Sequence, residues 1–182
     1  DLNINTYLIE RQKEKTFFSP AEVLTEDEYV KLLRDWKKKE IERVERYHLP
    51  IDFSGNLLKE INYEYLFNLF LFSRYDMMRN PNFKPSDLVE ADLQIDYLNE
   101  QDYKEFHYYH ALVYEHFTER LGELEKDSLV NNPNFNLRQN HVKLISKIVP
   151  NEYIKNSILS EKVIYDLKEV KDIAAYYQDF QV

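Results

Sequence analysis

Residues 55–78 read GNLLKEINYEYLFNLFLFSRYDMM, and this stretch decides the fold. Leu57, Ile61, Tyr65, Leu69 and Phe72 recur at the spacing of one face of an α-helix. Leu66, Phe67 and Phe70 occupy much of what remains, and a helix that is apolar nearly all round is a buried one. The stretch is therefore expected to be the central helix of an all-α fold, with Ser54 or Asp52 as the cap at its start.

Upstream, Thr25-Glu26-Asp27-Glu28 is a capping box, a hydroxyl at a helix start answered by a glutamate three residues on. It predicts a helix to about Tyr47, with Tyr29, Leu33, Trp36, Val44 and Tyr47 on its inner stripe and His48-Leu49-Pro50 as its stop. Ser19-Pro20-Ala21-Glu22 is a second box that opens at most a short turn. Residues 1–9 read ambiguously, and residues 1–18 are expected to form an extended or loosely packed arm.

Downstream, a segment from Ser86 to Leu98 places Leu88, Ala91, Ile95 and Leu98 on one side. Asn99 opens a helix from Glu100 to at least Leu121, with continuation past Gly122 to Val130 as the longer reading. Asn136-Leu137-Arg138-Gln139 is a third box, followed at helical spacing by Leu137, His141, Leu144, Ile145 and Ile148 up to the stop at Val149-Pro150. A short helix is expected over 152–159. A last one begins at Ser160, with Val163, Leu167, Val170, Ala174 and Tyr177 inside. Together these predict an irregular bundle of six to seven helices around residues 55–78, as one domain over 1–182 or two small ones sharing a core.

One loop repeats. Asn80-Pro81-Asn82-Phe83 returns as Asn132-Pro133-Asn134-Phe135, each after one predicted helix and before another. Asparagine tolerates turn geometry and proline blocks continuation, so a shared helix stop explains the echo; a duplicated helical unit is the alternative.

Composition narrows the function classes. The two glycines, Gly55 and Gly122, cannot build a phosphate-cradling loop or a nucleophile elbow. The lack of cysteine excludes disulfides and thiolate-bound metals while leaving the redox compartment open. No apolar run approaches the roughly 20 residues of a membrane span. The first residue is Asp1, so a targeting segment removed before it fits the sequence, and the cytoplasm is the expected compartment. No cofactor is implied.

Charge is the strongest functional signal. Between Asp87 and Asp127 twelve acids face three bases, Lys104, Arg120 and Lys126, and this region carries the whole net charge of −9. Such a field disfavours nucleic-acid phosphate and suits a basic protein partner. Eight tyrosines between Tyr63 and Tyr114 flank it, and tyrosine is enriched at interface cores. The residues expected to meet the partner are Asp87, Glu90, Asp92, Asp96, Tyr97, Glu100, Asp102, Glu105 and Tyr108. A solvated acidic face is the bland alternative.

Two further constellations compete. Arg43-Val-Glu-Arg-Tyr-His48 resembles the short motif of helical RNases of the HEPN class, although Val44 stands where that class usually has a polar residue. The resemblance implies that Arg43 stabilises phosphate charge and His48 helps activate a 2′-hydroxyl. The alternative is a charged helix that ends in a capping histidine. His107 and His110 lie one helical turn apart and can offer a two-histidine face to a metal, completed by Asp102 or Glu64. Histidines hydrogen-bonded to tyrosines are the competing reading, and neither a Glu-x-x-His nor an H-E-x-x-H signature includes His107 or His110.

Overall fold

The computed structural model describes residues 2–13, 24–80, 82–132 and 137–169. They form eight α-helices: α1 (Leu2–Lys13), α2 (Glu26–Arg46), α3 (Ile51–Arg79), α4 (Asp87–Asp92), α5 (Glu100–Glu105), α6 (His107–Asn131), α7 (Leu137–Ile148) and α8 (Glu152–Glu169). No strand occurs among the described residues, and the fold is all-α as the periodicity predicts. The chain divides into two compact units, Asp1–Ile95 with Phe106–Leu112, and Asp96–Glu105 with Val113–Val182.

In the first unit α3 is the central element. From residue 60 to residue 74 no position is exposed, and Ile61 and Leu69 are fully buried. Its start differs from the sequence reading. Pro50 is the N-cap, while Asp52 and Ser54 lie inside the first turn, where the Ser54 hydroxyl donates to the Ile51 carbonyl. Proline enters a helix at its beginning without the loss of a hydrogen bond, and Asp52 adds negative charge near the positive end of the helix dipole.

α2 opens at the predicted capping box, with Thr25 and Glu28 bonded in both directions. It runs antiparallel to α3. Near its start Tyr29 stacks on Phe72 at 4.2 Å, midway Lys37 donates to Asn62, and near its end Val44 shares a core cluster with Ile61. Beyond Tyr47 the chain turns through His48, whose φ of 46° is the left-handed conformation in which helices commonly end.

α1 replaces the expected arm. Ile4, Tyr7 and Arg11 lie at helical spacing; Tyr7 is fully buried with Val44, Leu49 and Ile61, and Ile4 packs on that cluster. The polar Arg11 at the third position hides this face from a purely apolar count, and its partners are described below.

The Ser86–Leu98 segment is also shorter than expected. α4 stops at Asp92, Leu88 points to solvent at 62% exposure, and Val89 is the residue that anchors the helix. Two things halt it. Asp92 is held by side chains of α2 and α3, and Asp96 accepts the Leu98 amide in a tight turn. The helix expected from Glu100 is broken at Phe106, which is buried with its ring 5.6 Å from Tyr63. The chain then resumes as α6 and passes Gly122 without interruption to Asn131.

In the second unit Val113, Phe117, Leu121, Leu144, Ile145, Val149, Ile154 and Ile158 are buried. Asn99 caps α5 as predicted, accepting the Asp102 amide at 3.1 Å. α8 is one helix instead of two: Asn151 caps it, and Ser160 sits inside it with its hydroxyl bonded to the Asn156 carbonyl. The Ser19 and Asn136 boxes, most of the second Asn-Pro-Asn-Phe loop and the inner stripe beyond residue 162 lie outside the described side chains. The first of those loops caps α3, with the Phe83 amide donating to the Asn80 carbonyl.

Candidate functional site

The acidic residues separate into exposed charges and charges engaged inside the fold. Ser86 caps α4 through the Val89 amide, and its own amide donates to the Glu26 carboxylate of α2. With Val89 buried beneath, Asp87, Leu88 and Glu90 are turned outward together. Asp92 faces the other way. Its carboxylate accepts from the Tyr65 hydroxyl at 2.6 Å and from Arg34 at 3.2 Å. Burial, then this carboxylate, raises the Tyr65 pKa.

The remaining acids of the set belong to the second unit. Asp96 and Glu105 are exposed, the latter hydrogen-bonded by Gln101. Glu100 pairs with Lys104 and accepts from Asn151 at 3.2 Å, and hydrogen bonds from these two partners lower its pKa. Asp102 is buried against Asn99. The Tyr97 ring stacks on His116 at 3.8 Å and 9°, with the hydroxyl pushed up to about 12 by burial. Tyr108 lies in the first unit and donates to Glu64 at 3.0 Å. Of the expected contact residues, the outward acids are therefore Asp87 and Glu90 in the first unit and Asp96 and Glu105 in the second.

The competing constellations are also resolved into positions. The Arg43 guanidinium is buried against Glu40 at 2.5 Å, whereas His48 is exposed on the left-handed turn. His107 is exposed with its ring 5.4 Å from Tyr108, and His110 is half-buried. Among the described residues no group of three or more histidine, cysteine, aspartate or glutamate side chains is set to hold a metal ion.

What the sequence reading missed is an ionic clamp in the first unit. Arg11 of α1 donates to Glu64 of α3 at 2.7 Å and lies 3.8 Å from Glu40 of α2, which also holds Arg43. Tyr108, in the first turn of α6, completes the set on Glu64. Burial raises the pKa of neighbouring Glu60, against the pull of Arg11, His107 and the Tyr108 amide. Buried charges persist when each is paired, and here the pairing fastens four helices of one unit. One signal was available: Glu40 falls four residues after Trp36 and four before Val44, on the inner stripe itself.

Comparison with protein-family models, with curated proteins and with solved structures finds no match to this chain.

Proposed function

We propose that the chain is a non-enzymatic protein-binding or regulatory domain, of immunity, inhibitor or adaptor type, that docks a basic partner. The observation that carries this reading is the outward set on α4, where Asp87, Glu90 and Leu88 are exposed while Val89 is buried. Acids beside an exposed apolar residue give steering and an apolar contact in one place. Asp96 and Glu105 add negative surface in the second unit. The helical-ribonuclease alternative would require Arg43 to reach phosphate, and its guanidinium is instead buried on Glu40.

The test is selection of random peptides displayed on phage against the immobilised chain. The expected result is enrichment of Lys- and Arg-containing sequences that carry an apolar residue, with binding lost in 0.5 M salt and in the Asp87→Lys/Glu90→Lys variant. Enrichment without a charge bias, or selection unchanged by the double reversal, would overturn the proposal.

A further inference from the structure

A cleft of about 610 Å³ runs along α2 in the first unit, and neither Asp87 nor Glu90 lines it. One wall is a single stripe of α2: Arg34, Lys37, Lys38, Ile41, Glu42 and Glu45. The floor comes from Tyr65 and Leu66 of α3, both buried, and the far side from Asp92 and Ile95. Charge along the stripe is segregated. Three cations occupy its N-terminal part, an isoleucine its middle and two acids its C-terminal part. Lys38 and Glu42 pair with each other at 3.9 Å and Arg34 pairs with Asp92, which leaves Lys37 and Glu45 as the two ends.

Lys37 sets the chemistry of the cationic end. Its ammonium donates to Asn62 Oδ1 at 2.6 Å and stands 4.6 Å above the Tyr65 ring. Both partners are neutral, and among the described residues no carboxylate lies within ion-pair distance of it. Asp92, the acid nearest in influence, is already bonded to Arg34 and Tyr65. Burial accordingly lowers the Lys37 pKa from its ordinary value. A half-buried ammonium fixed in place with no ion-pair partner of its own is a seat for an anion.

Length decides what kind of anion. From Lys37 to Glu45 the helix rises about 12 Å at its usual 1.5 Å per residue. An extended peptide covers that distance in about three residues. Glu45 repels a second negative group and attracts a positive one, which disfavours a polyanion and selects a molecule charged oppositely at its two ends. Ile41, Leu66 and Ile95 offer apolar contact between the ends.

We infer that this cleft binds short zwitterionic peptides of about three residues, the free carboxylate on Lys37 and the amino end towards Glu45. The site uses none of the outward acids of the docking surface, so it stands or falls separately from that reading.

The experiment is saturation-transfer NMR of the full chain with a random tripeptide mixture in three forms: both ends free, amidated at the carboxyl end, and acetylated at the amino end. Dissociation constants of the best binders follow by calorimetry. Free tripeptides are expected to bind, with amidation weakening them at least tenfold and acetylation several-fold. Lys37→Met should reproduce the effect of amidation, and Glu45→Gln, at an exposed rim position, the effect of acetylation, with helical circular dichroism retained in both. Failure of all free tripeptides to bind, indifference to either end cap, or inorganic phosphate binding as tightly as the peptides would overturn the inference.

Discussion

Arg11 and Glu64, 53 residues apart in sequence, meet in a 2.7 Å ion pair that ties α1 to the central helix. Arg11→Met keeps the aliphatic stem but leaves Glu64 and Glu40 without this cation in a largely shielded place. The expected cost is about 1–3 kcal/mol in urea unfolding, together with faster amide exchange over residues 2–13. Glu64→Gln retains an acceptor for Tyr108 and should cost less. A variant as stable and as protected as the parent would show that Tyr7 alone holds α1.

His116 supplies a pH dependence of known sign. Burial, then the nearby Arg120, lowers its pKa to about 4, and the ring stacks on Tyr97. The unfolded chain binds that proton near pH 6.5, so as the pH falls the unfolded state is protonated first. The stabilisation is complete above about 6.5 and is lost towards pH 4. Because the ring is only partly buried, solvent screening brings the change below the full shift's value of about 3 kcal/mol. His116→Phe preserves a ring against Tyr97 and removes the titration. Urea midpoints at pH 7.5 and 4.5 should therefore fall less in the variant; equal falls would assign the acid limb to carboxylates alone.

The parts of the fold legible in the sequence are those written in apolar periodicity or in capping chemistry. The Leu57–Phe72 stripe and the Thr25–Glu28 box both appear where they were expected. Elements fixed by tertiary polar contacts were not legible. The inner face of α1 is completed by Arg11, and α4 ends where Asp92 meets Arg34 and Tyr65. The break at Phe106 carries no glycine or proline, and its buried ring beside Tyr63 became visible only with both helices in place. The same principle divides the acidic residues. Sequence gives their number, but only the fold distinguishes outward Asp87 from engaged Asp92 or buried Asp102.

The central helix gives the plainest stability test. Leu69 is fully buried in a stretch of α3 that has no exposed position. Leu69→Ala should lower the unfolding free energy by about 2–5 kcal/mol, from lost transfer energy plus the cavity left behind. Leu58, more than a third exposed on the same helix, should tolerate alanine within about 0.5 kcal/mol. Similar losses at both sites in chemical denaturation would contradict the burial pattern.

The acids of α4 allow the docking role to be separated from the structural one. Asp87 and Glu90 point outward, whereas Asp92 accepts two hydrogen bonds from α2 and α3. Asp92→Asn removes the charge that holds Arg34 and weakens the acceptor for Tyr65, a charge-assisted bond worth about 1.5–3 kcal/mol in such settings. Arg34 is nearly half exposed, so water screens its share and the lower end of that range is expected. Asp87→Lys/Glu90→Lys should leave unfolding within about 0.5 kcal/mol, since neither side chain is buried. Association kinetics should show the reverse order. With a basic peptide from the display selection, the double reversal slows the on-rate and flattens its salt dependence, because outward charges act on the approaching partner over a screening length of about 8 Å at 0.15 M salt. Asp92→Asn should leave both nearly unchanged once folding is complete. An on-rate governed by Asp92 and indifferent to Asp87 and Glu90 would place the docking surface at the α2–α4 junction instead of on the outer face of α4.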